Sequence, residues 1–315
     1  MPGHCWVMEQ RSAPLFTPVL IAASIILIAS FGVRATFGVF QIPIAEEFGW
    51  ARVEFSMAIA IQNLFWGIGQ PIFGALAEKI GDRKAIAMGA ILYALGIVAS
   101  TFATTPFAMQ SLEVIVGFGI AGTGFGVILA VVGRAASDEN RSMAMAIAAA
   151  MGSAGQVVGP PIAEFLLSWM PWQSVFMIFA LVLLSLLLML PMINAREAVP
   201  KAELQENMRE VLGRAFRDPS YALIFMGFFS CGYQVAFLTA HFPALVTEMC
   251  GPILSGSLLH SMGVSTTSAL GAIAISIIGL ANIAGTLFAG WLGKYFPKKY
   301  ILAGIYTGRT IVAAV

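Results

Sequence analysis

Charge is what this chain has least of. Asp, Glu, Lys and Arg make up 10% of its 315 residues, against roughly 25% in an ordinary soluble domain, and that scarcity excludes a water-soluble globular enzyme. The 17 basic residues nearly balance the 16 acidic ones, so the basic surplus of a nucleic-acid partner is missing. Cysteine is almost absent too. Cys5, Cys231 and Cys250 lie far apart with no CxxC spacing, which supports neither a disulfide framework nor a metal cluster. A GxxxxGK[ST] phosphate loop is lacking, which argues against an ATP-driven pump. No Ser/His/Asp or His/Glu arrangement points to hydrolysis, and no cofactor or metal is expected.

What remains is hydrocarbon: 59% of the residues are hydrophobic. Uninterrupted apolar runs bounded by charge or Pro/Gly clusters predict membrane spans near 17–44, 54–77, 85–104, 107–133, 142–169, 173–193, 221–247 and 267–292, with a ninth beginning at Tyr300. The first run is too long for a cleavable signal and is followed at once by further spans. The sequence therefore predicts an all-α polytopic membrane protein. Its Gly- and Ala-rich spans let helix backbones approach closely.

Placing the N-terminus in the cytoplasm collects fourteen of the 17 basic residues on that side, among them Arg83, Lys84, Arg134, Arg141, Lys298 and Lys299. This satisfies the positive-inside rule at nearly every loop and predicts insertion in a cell inner membrane. The long segment 194–220 carries Leu204, Met208, Val211, Leu212 and Phe216 at helical spacing between charges, the pattern of an amphipathic helix on the inner membrane surface. It divides the chain into a six-span unit, 1–193, the linker 194–220, and a shorter unit, 221–315.

The two units repeat. A shift of 200 places Ser30, Gly32, Phe37 and Pro43 on Ser230, Gly232, Phe237 and Pro243, and a shift of 216 places Gly74–Lys84 on Gly290–Tyr300. Internal repeats of this kind mark many transporter folds.

Gly74-x-x-x-Glu78-Lys79-x-Gly81-Asp82-Arg83-Lys84 resembles the loop 2–3 signature of the major facilitator superfamily, with Glu78 in place of its usual Asp. Gly155-x-x-x-Gly159-Pro160 is similar to the family's antiporter signature, although Pro161, Ala163 and Glu164 follow where small residues are usual. Gly32-Val-Arg34-Ala-Thr-Phe37-Gly38-Val-Phe40 and Cys231-Gly232-Tyr-Gln234-x-x-Phe237-x-x-x-His241-x-Pro243 resemble bacterial relatives of the monocarboxylate porters and the oxalate:formate antiporter. The resemblance implies a major facilitator helical bundle of two pseudo-symmetric six-helix halves around a central cavity, with the second half truncated here. It also implies that Gly74, Glu78, Gly81, Asp82, Arg83 and Lys84 form a conformational latch at the inner face, with a weakened counterpart around Lys294 and Lys298. Helix 9, with Arg309, would lie at the periphery. Monocarboxylate porters carry an Asp and an Arg on helix 8, and this chain has Asn282 and Thr286 at the matching positions.

Arg34 is the sharpest site candidate, because a cation at helix-centre depth costs roughly 2.5–3.5 kcal/mol to insert and marks a functional position by default. Ser30, Arg34, Gly38 and Gln41 form one stripe that can face a cavity, matched on the seventh span by Ser230, Gln234, Leu238 and His241. Arg34 would bind the carboxylate of a small organic anion, with Gln41, Asn63, Gln156, Gln234, His241 and Asn282, and also Gln62, lining a polar path; interhelical hydrogen bonding is the alternative for each. Glu113, about 6 Å shallower by helix rise, a gap two long side chains can cover, is expected to pair with Arg34 and, by protonation, to release it for substrate. Gly117-x-Gly119-x-x-Gly122 matches a dinucleotide fingerprint, but it lies inside a membrane helix with no preceding strand. The expected partners are thus a small organic anion, a coupling proton and membrane lipid. Two functions stand beside the anion transporter: a drug or cation antiporter, favoured by Gly155/Pro160 and Glu113, and an inactive fragment.

Overall fold

The computed structural model describes residues 14–193 and 208–314, apart from 252, 255, 256, 262, 263, 265 and 294. The expectations for Lys294, for Leu204 and for the linker up to residue 207 lie outside the described residues.

The described chain is helical throughout: α1 (Pro18–Phe48), α2 (Arg52–Ile80), α3 (Asp82–Ser100), α4 (Pro106–Thr123), α5 (Phe125–Ala135), α6 (Arg141–Leu167), α7 (Trp172–Ser185), α8 (Met208–Arg217), α9 (Pro219–Met249), α10 (Leu258–Ser261), α11 (Thr267–Leu292) and α12 (Lys298–Ala314). A 3₁₀ turn, Leu186–Met192, extends α7. Among the described residues seven stretches, counting α4 and α5 as one, are long and apolar enough to cross a membrane; α2 is of similar length but carries Gln62, Asn63 and Gln70 in its middle. The protein is an all-α, multi-pass membrane bundle. The run predicted as one span over 107–133 is divided at Gly124, whose extended backbone (φ −91°, ψ −175°) interrupts the helix.

Helix starts follow local chemistry. Thr17, Thr105 and Thr266 cap α1, α4 and α11 by accepting from Leu20, Ala108 and Ala269 N–H, and Pro18 and Pro106 follow two of these caps where a missing N–H costs nothing. At the other end of α1 the chain turns at Gly49, whose φ of +65° favours glycine.

Loops at the two ends of the bundle differ in charge. Arg83, Lys84, Arg134, Arg141, Lys298 and Lys299 gather at one, the basic end; Glu46, Glu47, Glu54 and Glu248 gather at the other, the acidic end. Glu47 at the acidic end accepts from Trp172 Nε1 at 2.5 Å and from Gln173 Nε2 at 2.9 Å, tying the end of α1 to the start of α7.

α1 is the buried core of the first 193 residues. It meets α6 where glycines bring the backbones together: a methyl on Gly155 would lie 2.6 Å from the Gly32 nitrogen, and one on Gly159 would lie 2.8 Å from the Gly32 carbonyl carbon. The opposite stripe of α6 packs on α11, with Gly279 against Ser153 and Val157, Gly290 against Ala146, and the Ser276 hydroxyl donating to Val157 O at 2.6 Å. The glycines of the 117–122 fingerprint do the same for α4: Gly117 faces the backbone of α2 at Gln62, while Gly119 and Gly122 face α3 at Tyr93 and Gly89. Small residues thus take the place of the hydrophobic effect, which is missing between helices in lipid.

Candidate functional site

The polar interior collects on α1, α2 and α4. Arg34 sits on α1 with its side chain buried. Its Nη2 donates to Asn63 Oδ1 at 2.7 Å, its guanidinium lies 4.5 Å from the Trp66 ring centroid, and Phe31 stands 6.0 Å away. Asn63 and Trp66 are three residues apart on α2, hence neighbours on one face, and between them they hold one N–H and one face of the guanidinium. Arg34 Nε is buried without a hydrogen-bond partner. Among the described residues no carboxylate forms an ion pair with Arg34. A buried, hydrogen-bonded cation without a counter-charge is costly in hydrocarbon, and stacking on Trp66 offsets part of that cost, about 2 kcal/mol in a desolvated setting.

The guanidinium lines a narrow cleft with Phe37, Gly38, Ile59, Gln62, Asn63 and, from α9, Ala240. That cleft brings together Arg34 and Asn63 of the residues the sequence singled out, with Gln62 beside them. Trp66 escaped sequence reading; its signal was the helical spacing Gln62-Asn63-x-x-Trp66, which aligns an amide and an aromatic face toward one neighbour.

The expected pairing of Glu113 with Arg34 is corrected. Glu113, also buried, accepts from Gln62 Nε2 at 2.7 Å and has no other hydrogen-bond partner among the described residues. With no Arg34–Glu113 bond present, protonation of Glu113 has none to break, and the release scheme loses its premise. The cavity stripe on α1 is narrower than predicted. The Ser30 hydroxyl is buried in a 2.8 Å hydrogen bond with Thr123, while Tyr93 OH donates to Ser30 O at 3.3 Å. Gln41 is drawn toward the acidic end, where its Nε2 donates to Ser56 Oγ at 2.7 Å.

The other polar candidates stand apart from the cleft. Gln234 on α9 accepts from Arg309 of α12, through Nε at 3.1 Å and also through Nη2. His241 sets its ring against Phe237, tilted by 45° with centroids 5.3 Å apart, Gln156 is half-buried on α6, and Asn282 is exposed on α11. At the basic end Asp82 pairs with Arg134 at 2.6 Å, and Arg83 donates to Ile193 O at 2.6 Å and Pro191 O at 3.1 Å. Gly81 adopts φ +95° between α2 and α3, Gly74 has open space around it, and Glu78 and Lys84 are exposed. Asp82 lies in the first turn of α3. Gly155 and Gly159, with buried Pro160, face α1.

The polar contacts that join residues before 194 to those after 207 concentrate toward the acidic end. Arg52 of α2 pairs with Glu248 of α9. Glu164 of α6 accepts from Ser268 Oγ at 2.7 Å and from Thr266 Oγ1 at 3.4 Å, in the first turn of α11. Glu164 thus places its charge at the positive end of a helix dipole.

Among proteins of known sequence, the chain is 22% identical over 296 residues to the uncharacterized MFS-type transporter YcxA of Bacillus subtilis, covering 91% of this chain and 67% of that protein. It is 28% identical over 279 residues to monocarboxylate transporter 13 of Bos taurus, covering 85% and 59%. The chain therefore spans about three-fifths to two-thirds of the length of these relatives. Among solved structures, a D-xylose-proton symporter superposes with a TM-score of 0.57 at 13% identity, over 89% of this chain and 69% of that one, which speaks for the fold alone. The sequence profile of the Major Facilitator Superfamily, a family of transporters rather than enzymes, matches residues 22–315. With the repeat, the glycine-packed bundle and these likenesses in agreement, the chain belongs to the Major Facilitator Superfamily.

Proposed function

We propose that this chain carries the anion-binding site of a secondary transporter for small organic anions, mono- or dicarboxylates, working by alternating access. The observation that carries this reading is the Arg34 guanidinium, buried in the cleft with no acidic partner among the described residues and with Nε unpaired. A carboxylate entering the cleft would supply the missing counter-charge and accept charge-assisted hydrogen bonds. Ala240 supports a site at the junction of two units, 1–193 and 221–315, joined by the 194–220 linker, where rocking of one unit against the other would expose it alternately. The charge asymmetry of the two ends supports an inner-membrane orientation with the N-terminus and the basic end in the cytoplasm.

The test is calorimetric titration of acetate, lactate, oxalate and succinate into the full chain in lipid nanodiscs, beside uptake by proteoliposomes. Arg34→Gln should abolish binding while the helical signal stays intact. Unchanged binding in that variant would sink the reading.

A second reading, exchange of an organic cation for a proton, is favoured by Glu113, a buried carboxylate whose described hydrogen bonding is a single amide. Tetraphenylphosphonium binding that depends on Glu113, with no carboxylate binding, would decide for it.

A further inference from the structure

Asn63, Trp66 and Gln70 recur at helical spacing on one face of α2, and that face runs from the buried cation to the break between α4 and α5. Its first two members hold Arg34. Its last two meet the break: a methyl on Gly124 would lie 3.2 Å from Trp66 Nε1, 3.3 Å from Gln70 Nε2 and 2.7 Å from Ile120 O, and Gln70 Oε1 fills the place that a Gly126 side chain would take. Trp66 is the member common to both groups.

The two sides of the break are held differently. On the α4 side, Thr123 shares a 2.8 Å hydrogen bond with Ser30 of α1 and donates to Gly119 O at 3.2 Å. On the α5 side the contact is between rings: Phe125 lies on Phe31 with centroids 4.2 Å apart, and Phe31 meets Trp66 edge-on at 5.8 Å. Backbone groups freed inside a membrane must be served by the protein, and α2 brings two N–H donors to this break. One of them is unused, because Trp66 Nε1 is buried without a hydrogen-bond partner. A turn of the indole toward the break would pair that N–H with the Ile120 carbonyl, at the expense of the stack on Arg34. A carboxylate bound to Arg34 would neutralise the charge that attracts the ring and tip the balance toward that turn.

We propose that the break at Gly124 is a hinge set by the occupancy of the Arg34 cleft, and that Trp66 is the positioning residue joining the two. The inference rests on the anion-binding reading above.

The full chain in lipid nanodiscs is titrated by calorimetry with acetate, lactate, oxalate and succinate, and amide hydrogen exchange over 120–128 is read with and without a saturating amount of each anion that binds. In the parent, binding should change exchange in this stretch by about fivefold or more, the low end of coupling between two sites. Trp66→Phe keeps a ring over Arg34 and loses the N–H. Its affinity should stay within about threefold of the parent, while the exchange response disappears and proteoliposome uptake slows at least about tenfold. Trp66→Leu, which loses ring and N–H together, should lose affinity as well. Gly124→Ala, whose methyl presses on Ile120 O and on both α2 side chains, should bind as the parent does and take up anion at least about tenfold more slowly. A ring with a purely structural role does not separate binding from the exchange response in this way. Parent binding with no response over 120–128, a full response in Trp66→Phe, or equal losses of affinity in the Phe and Leu variants overturns the inference and leaves the anion site standing. If Trp66→Phe fails to fold, Gly124→Ala decides, and parent-like uptake there overturns the inference in the same way. Failure of the parent chain to bind any of the four anions overturns the anion-site reading and this inference with it.

Discussion

The repeat lays Ser30, Gly32 and Phe37 of α1 on Ser230, Gly232 and Phe237 of α9 and buries only the α1 set, while at the fourth pair Pro243 is buried and Pro43 half-buried. Ser30 is fully buried and bonded to Thr123, whereas Ser230 is exposed. Gly32 touches the Gly155 backbone, but Gly232 has nothing within 4 Å. Phe37 is 3% exposed and Phe237 51%. Where α1 carries Arg34, α9 carries Gln234, and its guanidinium arrives from another helix, as Arg309 of α12. Both clusters put an arginine on an amide oxygen, but only Arg34 is enclosed, stacked on an indole and set in a cleft. A side chain becomes a site through its surroundings, and kinship of sequence does not carry those along.

The contrast breaks most sharply at the two arginines. Arg34→Gln removes the one formal positive charge that lines the cleft among the described residues, and carboxylate affinity in nanodiscs should fall by at least about a hundredfold, the loss of a buried charge-assisted contact. Arg309→Gln alters a half-buried pair outside that cleft and should change affinity by less than about threefold. Comparable losses in both variants would mean that the repeat preserves function after all.

Next come two glycines from that contrast: Gly155, which packs on Gly32, and Gly232, the repeat counterpart of Gly32. At Gly155 a side chain meets backbone atoms of Ile28 and Gly32, which cannot rotate away. Gly155→Val should destabilise the bundle by roughly 3 kcal/mol or more, seen as a large drop in the unfolding midpoint in detergent. Gly232→Val, in open space, should stay within about 0.5 kcal/mol of the parent.

These differences also mark what was legible in the sequence. Apolar runs located the helices because lipid leaves a chain few options but to satisfy its backbone within each segment, and glycine spacing marked Gly155 and Gly159 as a packing motif without naming α1 as its partner. Arg34 was legible as an anomaly, a charge where none is cheap. Its partner was not. Depth along the helix axis made Glu113 the natural choice, but rotation about the axis decides, and there Asn63 and Trp66 face Arg34 while Gln62 bonds Glu113. Gln41 and His241 share a helical stripe with cleft positions or their counterparts, yet Gln41 lies beyond its reach and His241 packs its ring against Phe237. Glu164 read as a departure from a small-residue motif, and its meaning lay a hundred residues downstream in the first turn of α11.

A smaller effect is expected at that clasp between α6 and α11. Glu164→Ala removes the acceptor for Ser268 and a charge at the α11 N-terminus, together about 1–2 kcal/mol. Amide hydrogen exchange in the first turn of α11 should speed up in this variant while the Arg34 cleft keeps its protection. Uniform acceleration across both regions would show that the α6–α11 seam and the α1 core open as one unit.

The smallest effect belongs to the basic end. Asp82 and Arg134 join the start of α3 to the end of α5, both within the first 193 residues, and both side chains keep partial contact with solvent. Such a pair is worth roughly 0.5–1 kcal/mol and weakens with salt. Asp82→Asn should therefore lower the unfolding midpoint slightly at low ionic strength and by less in high salt, with carboxylate affinity unchanged. A large loss of uptake with binding intact would instead show that this pair governs the exchange between states, and that the basic end works as the family's latch does.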